Sequence, residues 1–147
     1  SLGLVGSEMC IRDRLFDAPG RETCVVKRSR TNTPLQALAL LNETTFIEAA
    51  HGLAKRMLAE GGQTPGERIA HGFRLAIGRS PTPAELATLA EGFEADLVRF
   101  TASPEAAEQF ATGGLVNRPE QVPAAEFAAY SLAANVIINL DEFVMRE

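Results

Sequence analysis

The sequence predicts an all-α protein: an irregular array of five or six helices with a short extended N-terminal arm. Alanine and leucine dominate its apolar residues, Trp is absent and Tyr occurs once. Both dominant residues lose little side-chain freedom in a helix. Helix-start signals with proline at the first helical position recur along the chain. The helices that they predict differ widely in length, which argues against a regular four-helix bundle.

The first fourteen residues (SLGLVGSEMCIRDR) show no helical or strand periodicity. They resemble a peptide translated from sequencing-adapter DNA, so we expect residues 1–14 to be a non-native artefact segment. We expect residues 15–147 to form the C-terminal part of one larger helical domain. Cys10 falls in the adapter-like segment, and Cys24 is expected to be a buried, unreactive thiol because it lies in an apolar run.

An extended arm is predicted before the first helix, over residues 15–30. Pro19 and Gly20 form a turn signal, and residues 23–26 (TCVV) are β-prone. A single strand is not stable alone. We therefore expect the arm either to lie across the helices or to pair with a strand further upstream.

The first two helices follow from a capping box and an apolar stripe. Thr33 and Gln36 form a capping-box pattern around a proline, which predicts a short helix over Pro34–Leu41 with a break near Asn42. A second helix is predicted over Glu43–Glu60, with a glycine pair after its end. The residues expected on its buried face are Phe46, Ala50, Leu53 and Met57.

The same pattern predicts two further helices. Thr64 with Glu67, and Thr82 with Glu85, are capping boxes with a proline at the first helical position, and Gly78 ends the first of these helices. The apolar residues at helical spacing are Ile69, Phe73 and Ile77 in one helix, and Leu86, Leu89, Phe93, Leu97 and Phe100 in the other.

Three shorter features complete the predicted fold. Ser103 precedes a short helix that the pair Gly113–Gly114 ends, and residues 115–123 read as a loop. A last long helix is predicted over Ala124–Ile138, and Asn139 with Glu142 reads as the capping box of a terminal turn. The residues expected on the buried face of the long helix are Phe127, Tyr130, Ala134, Ile137 and Ile138.

The overall charge disfavours nucleic acid as a partner. With 14 basic and 19 acidic residues the formal net charge is −5, and such a field repels nucleic acids and anionic lipid surfaces. No aromatic residues interleave with the basic residues around position 28. No apolar run reaches the roughly 20 residues of a membrane-spanning helix, so no membrane span is predicted.

Several motifs carry a family resemblance. The chain reads FDAPGRE over residues 16–22 and RSRTNTPLQAL over residues 28–38, and the match continues at 40–42, 46–50, 74–79, 139–143 and 146–147. With these motifs it resembles the C-terminal half of Planctomycete-specific domain one, a domain of unknown function. Two positions depart from the family pattern: Gly20 stands in place of an acidic residue, and Glu43-Thr44 in place of an acidic residue and proline.

The resemblance implies a setting rather than an activity. Members of that family are typically large exported proteins, often with an N-terminal cytochrome-c-like domain and sometimes a carbohydrate-binding-like insert. It therefore implies a periplasmic, envelope or secreted location and upstream domains of the same protein as partners. Haem c is expected only in the upstream part, because the Cys-x-x-Cys-His attachment motif is absent here; no cofactor is assigned to this chain.

A basic cluster is the candidate binding site. Lys27, Arg28 and Arg30 precede Thr33 at the start of a predicted helix. The first-turn N–H groups and two guanidinium groups could hold a phosphate, sulfate or carboxylate. The alternative is that the arginines pair with acidic side chains upstream or with Glu43 and Glu48.

The remaining polar candidates have structural explanations. His51 lies one turn from Glu48, so a metal or acid–base pair is conceivable, but surface placement is expected for it and for His71. Asn139, Asp141 and Glu142 could bind a divalent cation, although capping explains all three. No Ser-His-Asp order, P-loop or dinucleotide motif is present. No catalytic residue and no metal ligand is predicted.

The sequence therefore favours a non-catalytic helical module of a larger exported, cytochrome-c-associated protein. The alternative is the C-terminal segment of a hydrolase-like enzyme that acts on a polysaccharide or another anionic substrate. In that case catalytic residues would lie partly upstream, and Arg28 and Arg30 would position the substrate.

Overall fold

The computed structural model describes residues 34–113 and 116–144, and these residues form helices without any strand. The all-α prediction is confirmed for this part of the chain, with six helices of nine or more residues and one additional turn. The elements are α1 (Pro34–Asn42), α2 (Thr44–Glu60), α3 (Pro65–Ile77), α4 (Pro83–Ala102), α5 (Pro104–Thr112), α6 (Ala124–Ile138) and the single turn α7 (Asp141–Val144).

The adapter-like segment 1–14, the predicted arm 15–30 and the β-prone run 23–26 lie outside the described residues. The chain divides into two units, Ser1–Ala39 and Leu40–Glu147. Only the start of α1 is described in the first unit. All packing described below belongs to the second unit.

Helix α6 is the centre of this second unit. Ten of its fifteen residues are buried, because α2, α3, α4 and α5 all pack against it. Its many alanines let those helices approach closely, while its larger side chains fill the spaces between them. The predicted buried residues of this helix, Phe127, Tyr130, Ala134, Ile137 and Ile138, are confirmed.

Gly72 of α3 packs directly against Met57 of α2. A Cβ at Gly72 would lie 2.5 Å from Sδ of Met57, whose side chain is fully buried. Any larger residue at position 72 would therefore require the Met57 side chain to shift.

Two of the predicted helix starts are confirmed in detail. Oγ1 of Thr64 accepts from the Glu67 N–H, and Oγ1 of Thr82 accepts from the Glu85 N–H, each over 3.3 Å. Both glutamates reach back to the N–H of the capping threonine, so both capping boxes are complete. Gly78 ends α3 in the left-handed conformation, with φ of 87°, as expected for a glycine at the end of a helix.

The short helix predicted after Ser103 is confirmed as α5, although the Ser103 side chain makes no capping hydrogen bond; this residue both ends α4 and begins α5. One other cap prediction is wrong. The Asn139–Glu142 capping box does not form, because α7 begins at Asp141 and the Glu142 carboxylate binds Arg79 instead. Asn139 closes α6, and its N–H donates to the carbonyl of Asn135 over 3.0 Å.

The buried face of α2 differs from the predicted stripe. Ala50 and Met57 are buried as expected, but Phe46 and Leu53 are only half-buried. His51 and Ala54 take part in the buried face instead. His51 contacts Phe127 of α6, which places this face of α2 against the central helix. In α4 the core likewise contains Phe93 and Phe100, whereas Leu86, Leu89 and Leu97 are half-buried.

Among the described residues, no helix is both long enough and apolar enough to cross a membrane.

The capping boxes give a stability prediction. Thr64→Ala or Thr82→Ala removes a side-chain acceptor at a helix start, and we expect each to lower the free energy of unfolding by about 1 kcal/mol. Ser103→Ala is the matched control, because the Ser103 side chain makes no capping bond. Urea denaturation of the three variants measures the difference. Equal losses for all three would contradict the assignment of the caps.

Candidate functional site

The sequence-predicted anion site lies outside the described residues. Lys27, Arg28, Arg30 and Thr33 precede residue 34, so their arrangement stays a prediction. Cys24 also lies in that part of the chain. The candidate groups that the structure does bring together are elsewhere, in the second unit.

His51 is fully buried, so the prediction of surface placement for it is wrong. Its ring contacts Phe110 edge to face, with centroids 5.5 Å apart, and Phe127 at 5.4 Å. Neither ring nitrogen has a hydrogen-bond partner among the described residues. Burial lowers the pKa of His51, and the nearby Glu48 carboxylate only partly opposes this. His51 is therefore a neutral aromatic core residue and not the ligand of an exposed Glu-x-x-His pair.

A cavity of about 540 Å³ lies next to this aromatic cluster. We call it the Arg99 cavity. It is bounded by α2, the end of α4, α5 and one side of α6. Its lining is mainly apolar, and among the residues that line it are Ile47, Arg99, Phe100, Ala106, Phe110 and Leu132.

Arg99 is the cationic group of this cavity. Its guanidinium lies 5.1 Å from the centroid of the Phe100 ring. Its ion pair with Asp96, one turn earlier on α4, is 3.1 Å long, and 64% of the Arg99 side chain is exposed. An exposed pair of this kind contributes little. The ring and the carboxylate orient the guanidinium without removing it from solvent.

A second polar arrangement joins three helices. Arg79, in the loop after α3, donates to both carboxylate oxygens of Glu85 on α4, over 2.9 and 2.7 Å. It also donates to both oxygens of Glu142 on α7, over 3.0 and 2.8 Å. Its guanidinium lies 5.0 Å from the centroid of the Phe73 ring. The hydrogen bonds from Arg79 and from the Thr82 cap lower the pKa of Glu85 to about 2.

A third arrangement joins α3 to α6. NH1 of Arg68 donates to Oε1 of Glu126 over 3.1 Å and approaches the Tyr130 hydroxyl at 3.5 Å. The Tyr130 ring packs on Phe93 with centroids 4.4 Å apart. Burial raises the pKa of Tyr130. A partly buried guanidinium thus connects two helices through one carboxylate and one phenol.

His71, also predicted to lie at the surface, is half-buried beside a cleft. Its side chain is 19% exposed, and its Nε2 lies 3.4 Å from Oε2 of Glu60, close enough for an ion pair without the geometry of a hydrogen bond. The pair lines a cleft of about 430 Å³, together with Arg74 and Ser80. Glu60 also accepts two hydrogen bonds from Arg56, over 3.2 and 3.1 Å. Its carboxylate is therefore shared between a guanidinium and an imidazole.

Within residues 34–113 and 116–144, no cluster of three or more His, Cys, Asp or Glu side chains could hold a metal ion. The sequence patterns do not predict the roles of Arg68, Arg79 and Arg99. A partial signal exists for Arg79, because it lies three residues before the Thr82 cap and so close to the reach of Glu85. The partners Glu126 and Glu142 are about 60 residues away in sequence, and no local pattern indicates such contacts.

Comparison with known proteins gives one family. The model of the family described as PSD1, protein of unknown function (DUF1553), matches residues 12–93, more than half of the 147-residue chain. The match ends within α4 and so includes the Arg79 arrangement up to Glu85, but not α6 and, of the residues that line the Arg99 cavity, only Ile47. No curated protein and no solved structure matches the chain.

His51 gives a pH prediction. Because its pKa is lowered in the folded state, the unfolded chain takes up a proton more readily. Stability is therefore full above about pH 6.5, the usual value for histidine, and falls as the pH drops below it. In His51→Leu we expect the melting temperature to fall less between pH 7 and pH 5 than in the original chain.

Met57→Leu is the control for this prediction, because it changes a buried residue of the same helix without removing a titratable group. Its melting curve should shift by a similar amount at every pH. Circular dichroism melts at pH 8, 7, 6 and 5 make the comparison. A constant offset between His51→Leu and the original chain would show that His51 does not titrate on unfolding.

The Arg79 arrangement gives a prediction at lower pH. The lowered pKa of Glu85 means that its stabilising contribution is present above about pH 4.5 and is lost as the pH falls toward 2. We expect Arg79→Gln to lower the melting temperature at pH 7, with the difference from the original chain shrinking between pH 4.5 and pH 2. Arg99→Gln, whose partner is on its own helix, should change the melting temperature much less at pH 7.

Proposed function

The chain belongs to the PSD1 family of proteins of unknown function (DUF1553), and we propose that it acts there as a non-catalytic helical module that packs against other domains of a larger protein. By its resemblance to that family, the larger protein is exported and cytochrome-c-associated, and the module functions in the periplasm, envelope or outside the cell. Haem c belongs to the upstream part of that protein, and this module holds no cofactor of its own.

The proposal rests on the contacts that the charged side chains make. Arg68 joins α3 to α6, and Arg79 joins the end of α3 to α4 and α7. In both cases the guanidinium and its carboxylates are taken up in contacts between helices. Catalytic groups are usually held free to meet a substrate and have pKa values close to the working pH. Arg79 instead holds Glu85 ionised, with a pKa of about 2.

The central position of α6 supports the same function. Helices α2 to α5 all pack on one buried helix, and the contacts of Arg68 and Arg79 add ion pairs at the ends of α3 and at the start of α4. Such an arrangement suits a rigid module that keeps its surface in a defined shape for neighbouring domains. The neighbouring domains are those of the same parent protein.

The rival function is a segment of a hydrolase-like enzyme. One observation favours it: the His71–Glu60 pair lines a cleft that Arg74 and Ser80 also line. A histidine oriented by a carboxylate is a common general base. In this function Arg28 and Arg30 would hold the anionic group of the substrate.

A pair of variants in the parent protein separates the two functions. His71→Gln removes an acid–base group and keeps a polar side chain of similar length, so a non-catalytic module should retain full function in complementation of a deletion strain. Arg79→Gln should reduce function only in proportion to the loss of folded protein, as measured by melting temperature and abundance.

The enzyme function predicts the opposite result. Loss of function in His71→Gln at an unchanged melting temperature would overturn the proposal. The same logic applies to Arg28→Ala with Arg30→Ala: lost turnover with intact folding indicates a substrate site, and lost folding indicates a structural role.

A further inference from the structure

The Arg99 cavity has the size and lining of a small-molecule site. Its volume of about 540 Å³ lies within the range of roughly 300–1,000 Å³ found for ligand pockets. Most of the residues around it are apolar, including Ile47, Phe100, Phe110 and Leu132. Such a lining is suited to the hydrocarbon part of a ligand.

The aromatic side chains that line the cavity are packed against one another and against the core. The rings of Phe100 and Phe110 stack with centroids 5.9 Å apart, and the buried His51 ring packs edge to face on Phe110, with centroids 5.5 Å apart. Leu132 belongs to α6, whose neighbours on both sides are buried. Because these side chains are already packed, less side-chain entropy is lost when a ligand binds.

Three polar residues line the cavity, Arg99, Ser103 and Gln109. Arg99 presents a guanidinium that is oriented by the Phe100 ring and by Asp96. A guanidinium has five N–H donors, and it binds a planar carboxylate with two of them. The Ser103 and Gln109 side chains add uncharged hydrogen-bond donors.

We propose that the Arg99 cavity binds a monocarboxylate with an apolar chain of medium length, with the hydrocarbon against Phe100, Phe110 and Leu132 and the carboxylate on Arg99. The apolar walls supply most of the affinity, and Arg99 supplies the preference for an anion. Asp96 repels a second negative charge, so a ligand with one carboxylate is favoured over one with two. This site is independent of the proposed packing function, because none of the contacts between helices made by Arg68 or Arg79 takes part in it.

The probe is octanoate, with 1-octanol as the neutral analogue of equal chain length. Titration of the full 147-residue chain by calorimetry, with ¹⁵N-resolved NMR to locate the site, should show saturable octanoate binding and shifts at Ala106, Phe110 and Leu132. We expect octanoate to bind about fivefold more tightly than octanol, as one exposed charge contact allows.

Three variants separate the parts of the site. Arg99→Gln should weaken octanoate about fivefold and leave octanol unchanged. Arg74→Gln is the control, because Arg74 is an exposed arginine on another cleft, and it should affect neither probe. Ala106→Phe fills the cavity from an exposed position of α5 and should weaken both probes at an unchanged melting temperature.

Other results overturn the proposal. They are a lack of saturable octanoate binding, shifts confined to residues away from the cavity, equal affinity for octanoate and octanol, or an Arg99→Gln variant that binds octanoate like the original chain. Equal weakening by Arg99→Gln and Arg74→Gln would show a general charge effect on an acidic chain, and it too would overturn the assignment of the site.

Discussion

The burial of α6 on nearly all sides is the constraint on which the rest of the structure depends. A helix surrounded by four others must be rich in small residues, or its neighbours could not approach it together. The run from Ala124 to Ile138 meets this requirement with alanines along most of its length. Phe127 then packs on His51 of α2, Tyr130 packs on Phe93 of α4, and Ile137 is fully buried.

Much of the fold follows from local sequence signals. The capping boxes at Thr64 and Thr82 have short-range causes, and both form as predicted. The buried position of His51 could not be predicted in this way, because periodicity weighs Phe46 and Leu53 above a histidine beside alanines. The helix face that is buried depends on where a partner can come closest. That is a property of the packed helices, and it is not contained in one helix alone.

The candidate site was less predictable than the fold. Arg79 is close in sequence to Glu85, but Glu142 reaches it only after α4, α5 and α6 have packed. The Arg99 cavity likewise requires Ile47 and Leu132, which are far apart in sequence. The family match ends at residue 93, so it covers Ile47 alone among the residues that line this cavity. Cavities and ion-pair networks of this kind are results of tertiary packing, and a sequence read alone predicts them poorly.

The corner between α4 and α5 is a single residue, Ser103, which serves both helices. Because this corner is so short, the end of α4 fixes where α5 begins. One inserted residue at this corner would change the direction and rotation with which α5 begins, and so would move Phe110 relative to Phe100 and His51. Length at this corner should therefore be far more restricted among related chains than the identity of the residue that occupies it.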